Sequence, residues 1–314
     1  MSTPSKEARA FLESLPPFEE RPFPPEIGDF SAWAAWQAHI EKVAGERSEK
    51  TIQDYYDQIK PVAFKEAGGL EIAEITPTQK DKSVPPLIFL HGGAYVGFSA
   101  RSSLFATIPL AIRLGTTVTS VCYPLAPQSS FQSVVPAAAK TIISLMKPGF
   151  ALMGDSAGGG LAISVTQYMK RMKERLPASL VLSSPWVDLT ASDRIDDPIL
   201  RFKNDLEVCA RAYAADDAKN PMASPLYDTF TGDFPRVLTQ MGEREIFVSS
   251  VEAFHTKLTS AGIVNVLKVY DGMYHSFPVL TPEVPESVVA FRQLKSFLKN
   301  KHMNIGPNND PQQN

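Results

Sequence analysis

The sequence predicts an α/β fold built on a mostly parallel, eight-stranded sheet with helices on both faces. From about residue 61 onward, short apolar runs rich in β-branched residues alternate with helical patterns, which is typical of such a sheet. The first two runs have no helical pattern between them, so we expect an antiparallel hairpin at one edge. The predicted strands are Val62–Lys65, Leu70–Thr76, Pro86–Leu90, Thr117–Tyr123, Phe150–Gly154, Ser179–Ser183, Val237–Met241 and Val264–Tyr270. The predicted helices of this region are Leu104–Leu114, Ser133–Met146, Gly158–Glu174, Val251–Ala261 and Glu286–Lys299.

Residues 1–58 have a different pattern from the rest of the chain. An amphipathic run covers Ala8 to Leu15, a proline-rich stretch follows, and a second helical run covers Phe30 to Ala44. Proline disfavours both helix and sheet, so we expect two helices separated by an irregular stretch. Trp33 and Trp36 lie near one face of the second helix. We predict that residues 1–58 pack on the larger body as the N-terminal part of a helical cap.

A second segment interrupts the strand–helix alternation after the sixth predicted strand. Residues 186–225 are polar, contain prolines and favour helix, and they show no strand pattern. An insertion at the carboxyl end of a parallel strand lies over the edge where such sheets bind ligands. We therefore predict a cap insertion at 186–225 and a core domain at 59–185 and 226–302. The Asn-, Gln- and Pro-rich residues 303–314 are expected to form a disordered tail.

The composition is that of an ordinary globular protein, and it argues against several functional classes. Hydrophobic residues make up 44% of the 314 residues, and the net charge of −3 provides no basic surface for nucleic acid. The two cysteines, Cys122 and Cys209, do not form a zinc motif or a disulfide framework. The first residues lack the apolar run of a signal peptide, and no apolar stretch reaches the length of a membrane span. We expect a cytoplasmic protein without a metal.

The strongest local motif is Gly-Asp-Ser-Ala-Gly at residues 154–158, between a predicted strand and a predicted helix. Gly-x-Ser-x-Gly in this context is the nucleophile elbow, in which a strained turn exposes the serine hydroxyl at the top of the sheet. The flanking glycines allow the close backbone approach that such a turn requires. A phosphate-binding loop does not fit, because no Gly-Lys-Ser/Thr follows. The motif predicts that Ser156 is a nucleophile.

A second motif, His-Gly-Gly-Ala-Tyr at residues 91–95, follows the third predicted strand. Acyl transfer develops negative charge on the carbonyl oxygen, and fixed backbone N–H groups stabilise that charge. We assign the oxyanion hole to the N–H groups of Gly92, Gly93 and Ala157. His91 is better suited to holding this loop by hydrogen bonds than to acting as the base.

Several residues near these motifs are candidates for contact with a substrate. The predicted substrate-binding residues are Tyr95, Val96, Phe98, Asp155 and Trp186. Four aromatic residues of the predicted cap could also line the pocket, although we favour simple packing of cap on body for them. These are Trp33, Trp36, Phe202 and Tyr213.

The general base can be found by elimination among the five histidines. They are His39, His91, His255, His275 and His302. In α/β-hydrolases the catalytic residues follow the order serine, acid, histidine. Of the histidines after Ser156, His255 lies within a predicted helix and His302 in the predicted tail. His275 alone follows a strand, and we predict that it is the base.

The acid that orients the histidine should follow a strand between Ser156 and His275. Glu243 and Glu245 both come directly after the predicted strand Val237–Met241. We prefer Glu245, with Glu243 as the alternative. Asp271 is a weaker candidate because it lies in the same loop as the histidine.

Together these motifs resemble those of the hormone-sensitive-lipase-like esterases, bacterial family IV of the α/β-hydrolase superfamily. The matching segments are His91–Ala94, Tyr123–Pro127, Gly154–Gly159, Ser184–Leu189, Ser224–Tyr227 and Gly272–Phe277. The resemblance covers roughly residues 60 to 300. It implies an α/β-hydrolase fold with a helical cap, hydrolysis of short-to-medium acyl esters, and no cofactor. It also supports Glu245 as the acid.

Three positions depart from the family pattern. Ala94 replaces a third glycine, which keeps the backbone N–H and adds a methyl group that narrows the pocket. Pro124 replaces an arginine that usually makes structural polar contacts, so we expect an effect on loop shape rather than on chemistry. Glu245 stands where aspartate is more usual, which is a milder variation.

The motifs and the resemblance predict a carboxylesterase-type serine hydrolase that uses Ser156, His275 and Glu245 and forms an acyl-enzyme. A lactone hydrolase would use the same residues, so the sequence leaves it open as an alternative. A catalytically silent small-molecule receptor is a more remote alternative, because such a receptor would lack one member of the triad. The expected partner is a small ester, with no nucleic acid and no membrane span. A homodimer is left open.

Overall fold

The computed structural model describes residues 3–190, 197–201 and 205–300. Eight strands, β1 to β8 in chain order, form one sheet: Ala63–Ala67, Leu70–Ile75, Leu87–Leu90, Val118–Val121, Ala151–Asp155, Ser179–Ser183, Arg236–Gly242 and Asn265–Tyr270. Their spatial order is β1-β2-β4-β3-β5-β6-β7-β8. Strand β2 runs antiparallel to both neighbours, and every other adjacent pair is parallel. The predicted sheet and its edge hairpin are confirmed.

Most helices of the described residues lie where the sequence pattern predicts helix. In chain order, α1 to α9 are Lys6–Ser14, Phe30–Asp54, Leu104–Leu114, Phe131–Leu145, Ala157–Arg171, Glu207–Ala214, Val248–Ser260, Phe277–Leu280 and Pro285–Lys299. The short α8 has no counterpart among the predicted helices. Because it contains a single turn, it is too short to show a helical period in the sequence.

Alternate residues of the central strands face two separate layers of helices. In β3, Ile88 and Leu90 pack in the same apolar cluster as residues of α4, α5 and α7. Leu87 and Phe89 pack in the other large cluster, with residues of α3 and α9. This two-residue period follows from strand geometry, in which successive side chains point to opposite faces. Since helices cover both faces, all four residues of β3 are buried.

Helix α2 extends to Asp54, whereas the sequence pattern predicted an end near Ala44. The additional turns are rich in charged residues and have no apolar stripe, so periodicity could not reveal them. A buried polar contact holds them in place. The Ser48 hydroxyl donates to the Ser102 carbonyl oxygen at 2.7 Å and accepts from the Phe105 N–H at 3.1 Å. Helix α2 is thereby fixed to the first turn of α3.

Part of the predicted cap insertion lies outside the described residues, namely 191–196 and 202–204, including Phe202. The predicted tail, 303–314, also lies outside them. The described part of 186–225 contains α6 and the start of a short 3-10 helix, Pro225–Tyr227, and no strand. Of the helices within the described ranges, none has both the length and the apolar character needed to cross a bilayer.

Replacing Ser48 with alanine should destabilise the protein. The change leaves the buried N–H of Phe105 and the buried carbonyl of Ser102 without their partner, which should lower the free energy of unfolding by about 1–3 kcal/mol. Urea denaturation measures the difference. Ser144→Ala is the matched control, because the Ser144 hydroxyl donates only to Thr141 within its own helix. Equal effects of the two variants would contradict this account of how α2 is attached.

Candidate active site

The predicted site residues come together at the carboxyl edge of the parallel strands. Gly92 follows β3, Ser156 follows β5, Glu245 follows β7 and His275 follows β8. Parallel strands place their carboxyl ends at one edge of the sheet, so residues distant in sequence become neighbours. The same topology explains why the site contains residues from four separate loops.

Ser156 occupies the turn between β5 and α5 in a backbone conformation that L-residues rarely adopt, with φ 54° and ψ −120°. Its N–H donates to the Ser183 carbonyl oxygen at 2.8 Å, which holds the turn against β6. The turn leaves no room for a side chain at Gly158, where a Cβ would lie 2.1 Å from the Leu90 carbonyl oxygen. The glycine pattern of the motif is therefore a steric requirement of this turn.

A chain of hydrogen bonds joins Ser156, His275 and Glu245. The Nε2 atom of His275 lies 2.9 Å from Ser156 Oγ, and its Nδ1 atom lies 3.0 Å from Glu245 Oε2. The exposed fractions are 9% for Ser156, 3% for His275 and 0% for Glu245. Because water is nearly excluded, the interactions between these groups are stronger than they would be at the surface.

The second carboxylate oxygen of Glu245 is fixed by two donors. Glu245 Oε1 accepts from the Ser184 hydroxyl at 2.6 Å and from the Gly242 N–H. The Ser184 hydroxyl in turn accepts from the Ser276 N–H at 2.9 Å, so one side chain ties the acid to the histidine loop. Ser184 lies within one of the matching family segments, but no sequence pattern indicated this role.

The structure brings Glu245 to the histidine, whereas Glu243 lies elsewhere. Glu243 Oε2 accepts from the Gly272 N–H at 2.9 Å, which supports the start of the histidine loop. Both ring nitrogens of His275 are already engaged, by Ser156 and by Glu245. Asp271, the third candidate, is therefore not the partner of the imidazole.

The charge state of His275 is set by opposing influences. Burial alone would lower its pKa, but the hydrogen bond and charge of Glu245 oppose this, together with the charges of Asp197 and Asp155. The net effect raises the pKa of His275 above its ordinary value. The site thus favours the imidazolium that forms when histidine accepts the proton of serine.

The loop after β3 is held in a strained form by His91 and Tyr123. His91 Nδ1 lies 2.8 Å from the carbonyl oxygen of Gly92, and the Tyr123 hydroxyl donates to the His91 carbonyl oxygen at 2.7 Å. The two rings stack with centroids 4.2 Å apart. Burial lowers the pKa of His91 to about 4, partly offset by the bond to Gly92, so the ring is neutral at pH 7. These contacts match the loop-holding role expected for His91.

The three N–H groups assigned to the oxyanion hole lie around the nucleophile. A Cβ placed on Gly92 would be 3.3 Å from the Cβ of Ser156, so this backbone passes directly beside the serine. Gly93 and Ala94 have φ values of 102° and 54°. Within the described residues, the N–H groups of Gly92, Gly93 and Ala157 donate to no other group. They are thus available to an anionic oxygen.

Helix α2 also contacts this loop directly. The Gln37 side-chain amide donates to the carbonyl oxygens of Val96 at 2.9 Å and Ala126 at 2.8 Å. Val96 itself is buried. Trp33 is fully buried and its indole N–H donates to the Glu26 carbonyl oxygen at 3.1 Å. The N-terminal helices therefore pack against the body next to the site.

Tyr95 and Trp186 belong to a buried aromatic stack. The Tyr95 ring lies parallel to that of Tyr213 in α6, with centroids 3.8 Å apart, and also packs on Trp186. Trp186 continues the stack to Phe247, two residues beyond Glu245. The exposed fractions of Tyr95 and Trp186 are 1% and 0%. Substrate contact by these two residues stays a prediction, and their burial favours a supporting role.

Phe98 is only half-buried and borders a small cavity beside the oxyanion loop. Its backbone φ is 66°, and its ring lies 2.6 Å from the position that a Cβ on Gly93 would occupy. The cavity has a volume of about 30 Å³. Its walls are Phe89, His91, Gly92, Phe98, Ser103, Phe105, Ala106, Asp155, Val279 and Leu280. The walls of the cavity are mostly apolar, and one of them is Gly92, whose N–H is assigned to the oxyanion hole.

Asp155 precedes the nucleophile and is buried at the wall of the same cavity. Burial raises its pKa to about 6, although His275 and the hydroxyls of Ser276 and Ser183 oppose the shift. The residue therefore titrates near neutral pH, close to the nucleophile.

The remaining histidine of the core, His255, bonds to Thr239 and Asn265 and has no contact with the triad.

No group of three or more histidine, cysteine, aspartate or glutamate side chains suited to a metal occurs in the described ranges. What the arrangement does contain, among the described residues, is a serine hydroxyl, a histidine bonded to it, a carboxylate on the other ring nitrogen, and backbone N–H groups without another acceptor. That combination is suited to acyl transfer.

Comparisons with known proteins show the family to which the chain is similar. Residues 87–279 match the family described as having the alpha/beta hydrolase fold. An esterase of Acinetobacter venetianus is 31% identical over 255 residues, covering 76% of this chain and 81% of the relative.

Solved structures show the same likeness in three dimensions. The structure of an esterase named E25 has a TM-score of 0.84 and 25% identity, covering 94% of each chain. An esterase from the bacterial hormone-sensitive lipase family has a TM-score of 0.70 and 26% identity, covering 84% of this chain and 97% of the other. The chain therefore belongs to the α/β-hydrolase family, among its hormone-sensitive-lipase-like esterases.

Proposed function

We propose that this esterase is a serine carboxylesterase that hydrolyses short-to-medium acyl esters through Ser156, His275 and Glu245. The observation that carries the proposal is the buried chain of hydrogen bonds from Ser156 Oγ through His275 to Glu245. The free N–H groups of Gly92, Gly93 and Ala157 beside the serine add to it. A cytoplasmic location and a homodimer remain predictions from the sequence.

In the acylation step, the Ser156 oxygen attacks the ester carbonyl while His275 Nε2 takes the hydroxyl proton. The distance of 2.9 Å between these atoms is suited to direct proton transfer. Glu245 keeps Nδ1–H in the donor role and stabilises the imidazolium. The carbonyl oxygen becomes an oxyanion, which the N–H groups of Gly92, Gly93 and Ala157 stabilise.

Collapse of the tetrahedral intermediate breaks the bond to the alcohol. His275 gives its proton to the leaving oxygen, and the acyl group stays on Ser156 as an ester. Water then attacks this ester while His275 takes a proton from it. The second collapse breaks the bond to Ser156 Oγ, which receives that proton from His275, and the carboxylic acid is released. The two steps consume only the ester and water, so neither step requires a cofactor.

The small cavity at Gly92 supports the preference for short acyl chains. It is lined largely by apolar side chains, and its volume of about 30 Å³ leaves little room for a chain. Phe98 narrows it from one side, and a ring carbon of Phe98 lies 2.6 Å from the position that a Cβ on Gly93 would occupy. We assign this cavity to the acyl group, with Phe98 as the wall that limits chain length.

The cap predicted from residues 1–58 and 186–225 completes the proposal. Gln37 from the first segment and Tyr213 from the second both contact the loop that carries Gly92 and Gly93. A cap in these positions excludes water from the reaction and supports the oxyanion loop. Together the two segments would restrict entry to small esters.

Ser156→Ala should abolish ester hydrolysis without unfolding the protein. The variant removes the attacking oxygen, so kcat for p-nitrophenyl butyrate should fall by about 10⁴-fold or more. Ser164→Ala is the matched control, since this buried hydroxyl lies in α5 away from the triad. Retention of activity in Ser156→Ala would refute the assignment of the nucleophile.

Glu245→Gln should reduce kcat strongly, whereas Glu243→Gln should not. In Glu245→Gln the amide must turn its NH₂ group either to His275 Nδ1–H, which loses that bond, or to Ser184 and Gly242, which leaves two donors without their acceptor. We expect a loss of about 10²- to 10⁴-fold in kcat.

The pH profile gives a second readout for the same pair. Hydrolysis needs neutral His275, so activity rises as pH passes its pKa. Loss of the Glu245 charge removes an influence that raises this pKa, and the acid limb should move to lower pH. Glu243→Gln keeps an acceptor for the Gly272 N–H and should keep the wild-type profile. A reversed pattern would make Glu243 the acid.

Phe98→Ala should extend the range of acyl chains. Removing the ring enlarges the cavity, so the ratio of kcat/KM for p-nitrophenyl octanoate over acetate should rise by about 10-fold. Phe64→Ala, at an exposed ring on β1, is the matched control. An unchanged ratio in Phe98→Ala would show that the acyl group binds elsewhere.

A further inference from the structure

Asp197 is a buried carboxylate in the described part of the insertion that follows β6. Its Oδ1 atom accepts from the N–H groups of Ile199 at 2.8 Å and Leu200 at 3.1 Å. Its Oδ2 atom accepts from the N–H of Ile246 at 3.2 Å, the residue directly after Glu245. Only 3% of Asp197 is exposed. Burying a charged carboxylate costs free energy of folding, and a turn that served only to connect two segments would not require one.

The turn that carries Asp197 is held from its other side by the N-terminal segment. The guanidinium of Arg21 donates to the carbonyl oxygens of Pro198 at 3.3 Å and Ile199 at 3.1 Å. Arg21 also stacks on the ring of Phe18, 4.0 Å from its centroid. Both cap segments therefore meet at the Asp197 turn, and that turn bonds directly to the backbone beside Glu245.

The charge of Asp197 also acts on the catalytic histidine. The charged groups that act on His275 are Glu245, in direct contact, and then Asp197 and Asp155. Burial raises the pKa of Asp197, and the charge of Glu245 acts in the same direction, whereas the charge of His275 and the N–H groups of Ile199 and Leu200 oppose the shift. The charge of Asp197 also acts on the guanidinium of Arg21. In the same cluster Arg21 and Arg201 repel each other, and Asp205 attracts Arg21 and pairs with Arg201 at 2.9 Å.

We propose that Asp197 is a positioning residue, which anchors the Glu245 turn through Ile246 and stabilises the imidazolium form of His275 by its charge. The inference rests on the proposed function of Ser156, His275 and Glu245. Its anchoring part is mechanical: a shift of the Ile246 backbone would move Glu245 away from His275 Nδ1, and misplacement by about 1 Å costs up to about 10²-fold in rate.

The electrostatic part acts during proton transfer. His275 gains a positive charge when it takes the Ser156 proton, and a second buried carboxylate lowers the energy of that state. Because the charge of Asp197 favours imidazolium, its removal should let His275 become neutral at lower pH. A residue with only a folding role would change stability without moving the acid limb of the profile.

The test compares Asp197→Asn and Asp197→Glu over a pH series, with p-nitrophenyl butyrate hydrolysis and with the rate of Ser156 labelling by a fluorophosphonate. Asp197→Asn should lower kcat by about 10- to 100-fold and move the acid limb to lower pH in both assays. Asp197→Glu keeps the negative charge, so the acid limb of its pH profile should lie where it does in the wild type. Asp205→Asn is the matched control, since it removes a charge from the same insertion and does not act on His275.

An acid limb that does not move in Asp197→Asn, or that moves equally in Asp205→Asn, overturns the proposal. Should Asp197→Asn not fold, Asp197→Ser takes its place with the same expected shift, because the hydroxyl still accepts a hydrogen bond. The two assays separate the two proposals. If the wild type is labelled at Ser156 but hydrolyses no ester, the proposed function fails while the labelling series still decides the role of Asp197.

Discussion

The hydrogen bond between Glu245 and His275 is the interaction on which the rest of the site depends. It forms where neither group has access to water, so both must be fully satisfied by the protein. Glu245 meets this requirement with donors from three directions: His275, Ser184 and Gly242. Because those donors come from the loop after β6, the last residue of β7 and the loop after β8, one carboxylate fixes the relative positions of three strand ends. The turn after β5 then places the Ser156 hydroxyl beside His275.

Much of the fold was predictable because its signals are local. Alternating apolar runs identify the strands, and the glycines around Ser156 report a turn that excludes side chains. The choice between Glu243 and Glu245 was not decided by the residues, since both follow the same strand. What separates them is the turn geometry, which directs Glu245 to His275 and Glu243 to the Gly272 N–H.

Other features depend on contacts between distant segments, and these leave no local pattern. Ser184 bonds to Glu245 across 61 positions, and Ile246 bonds to Asp197 across 49. Tyr95 follows the oxyanion glycines, which suggested substrate contact. Its burial results from stacking on Tyr213 in α6, a partner that no spacing rule identifies. The charged second half of α2 was not predicted because the contact that holds it is polar, and polar contacts produce no apolar stripe in the sequence.

The bond from His275 Nδ1 to Glu245 is open to direct observation by downfield proton NMR. The account predicts a proton resonance shifted far downfield and protected from exchange, because the donor is buried and its acceptor is a carboxylate. The resonance should be present in the wild type and in Glu243→Gln, and absent from Glu245→Gln and His275→Gln. A resonance that persists in Glu245→Gln, or that disappears in Glu243→Gln alone, would contradict the central claim that Glu245 orients the catalytic histidine.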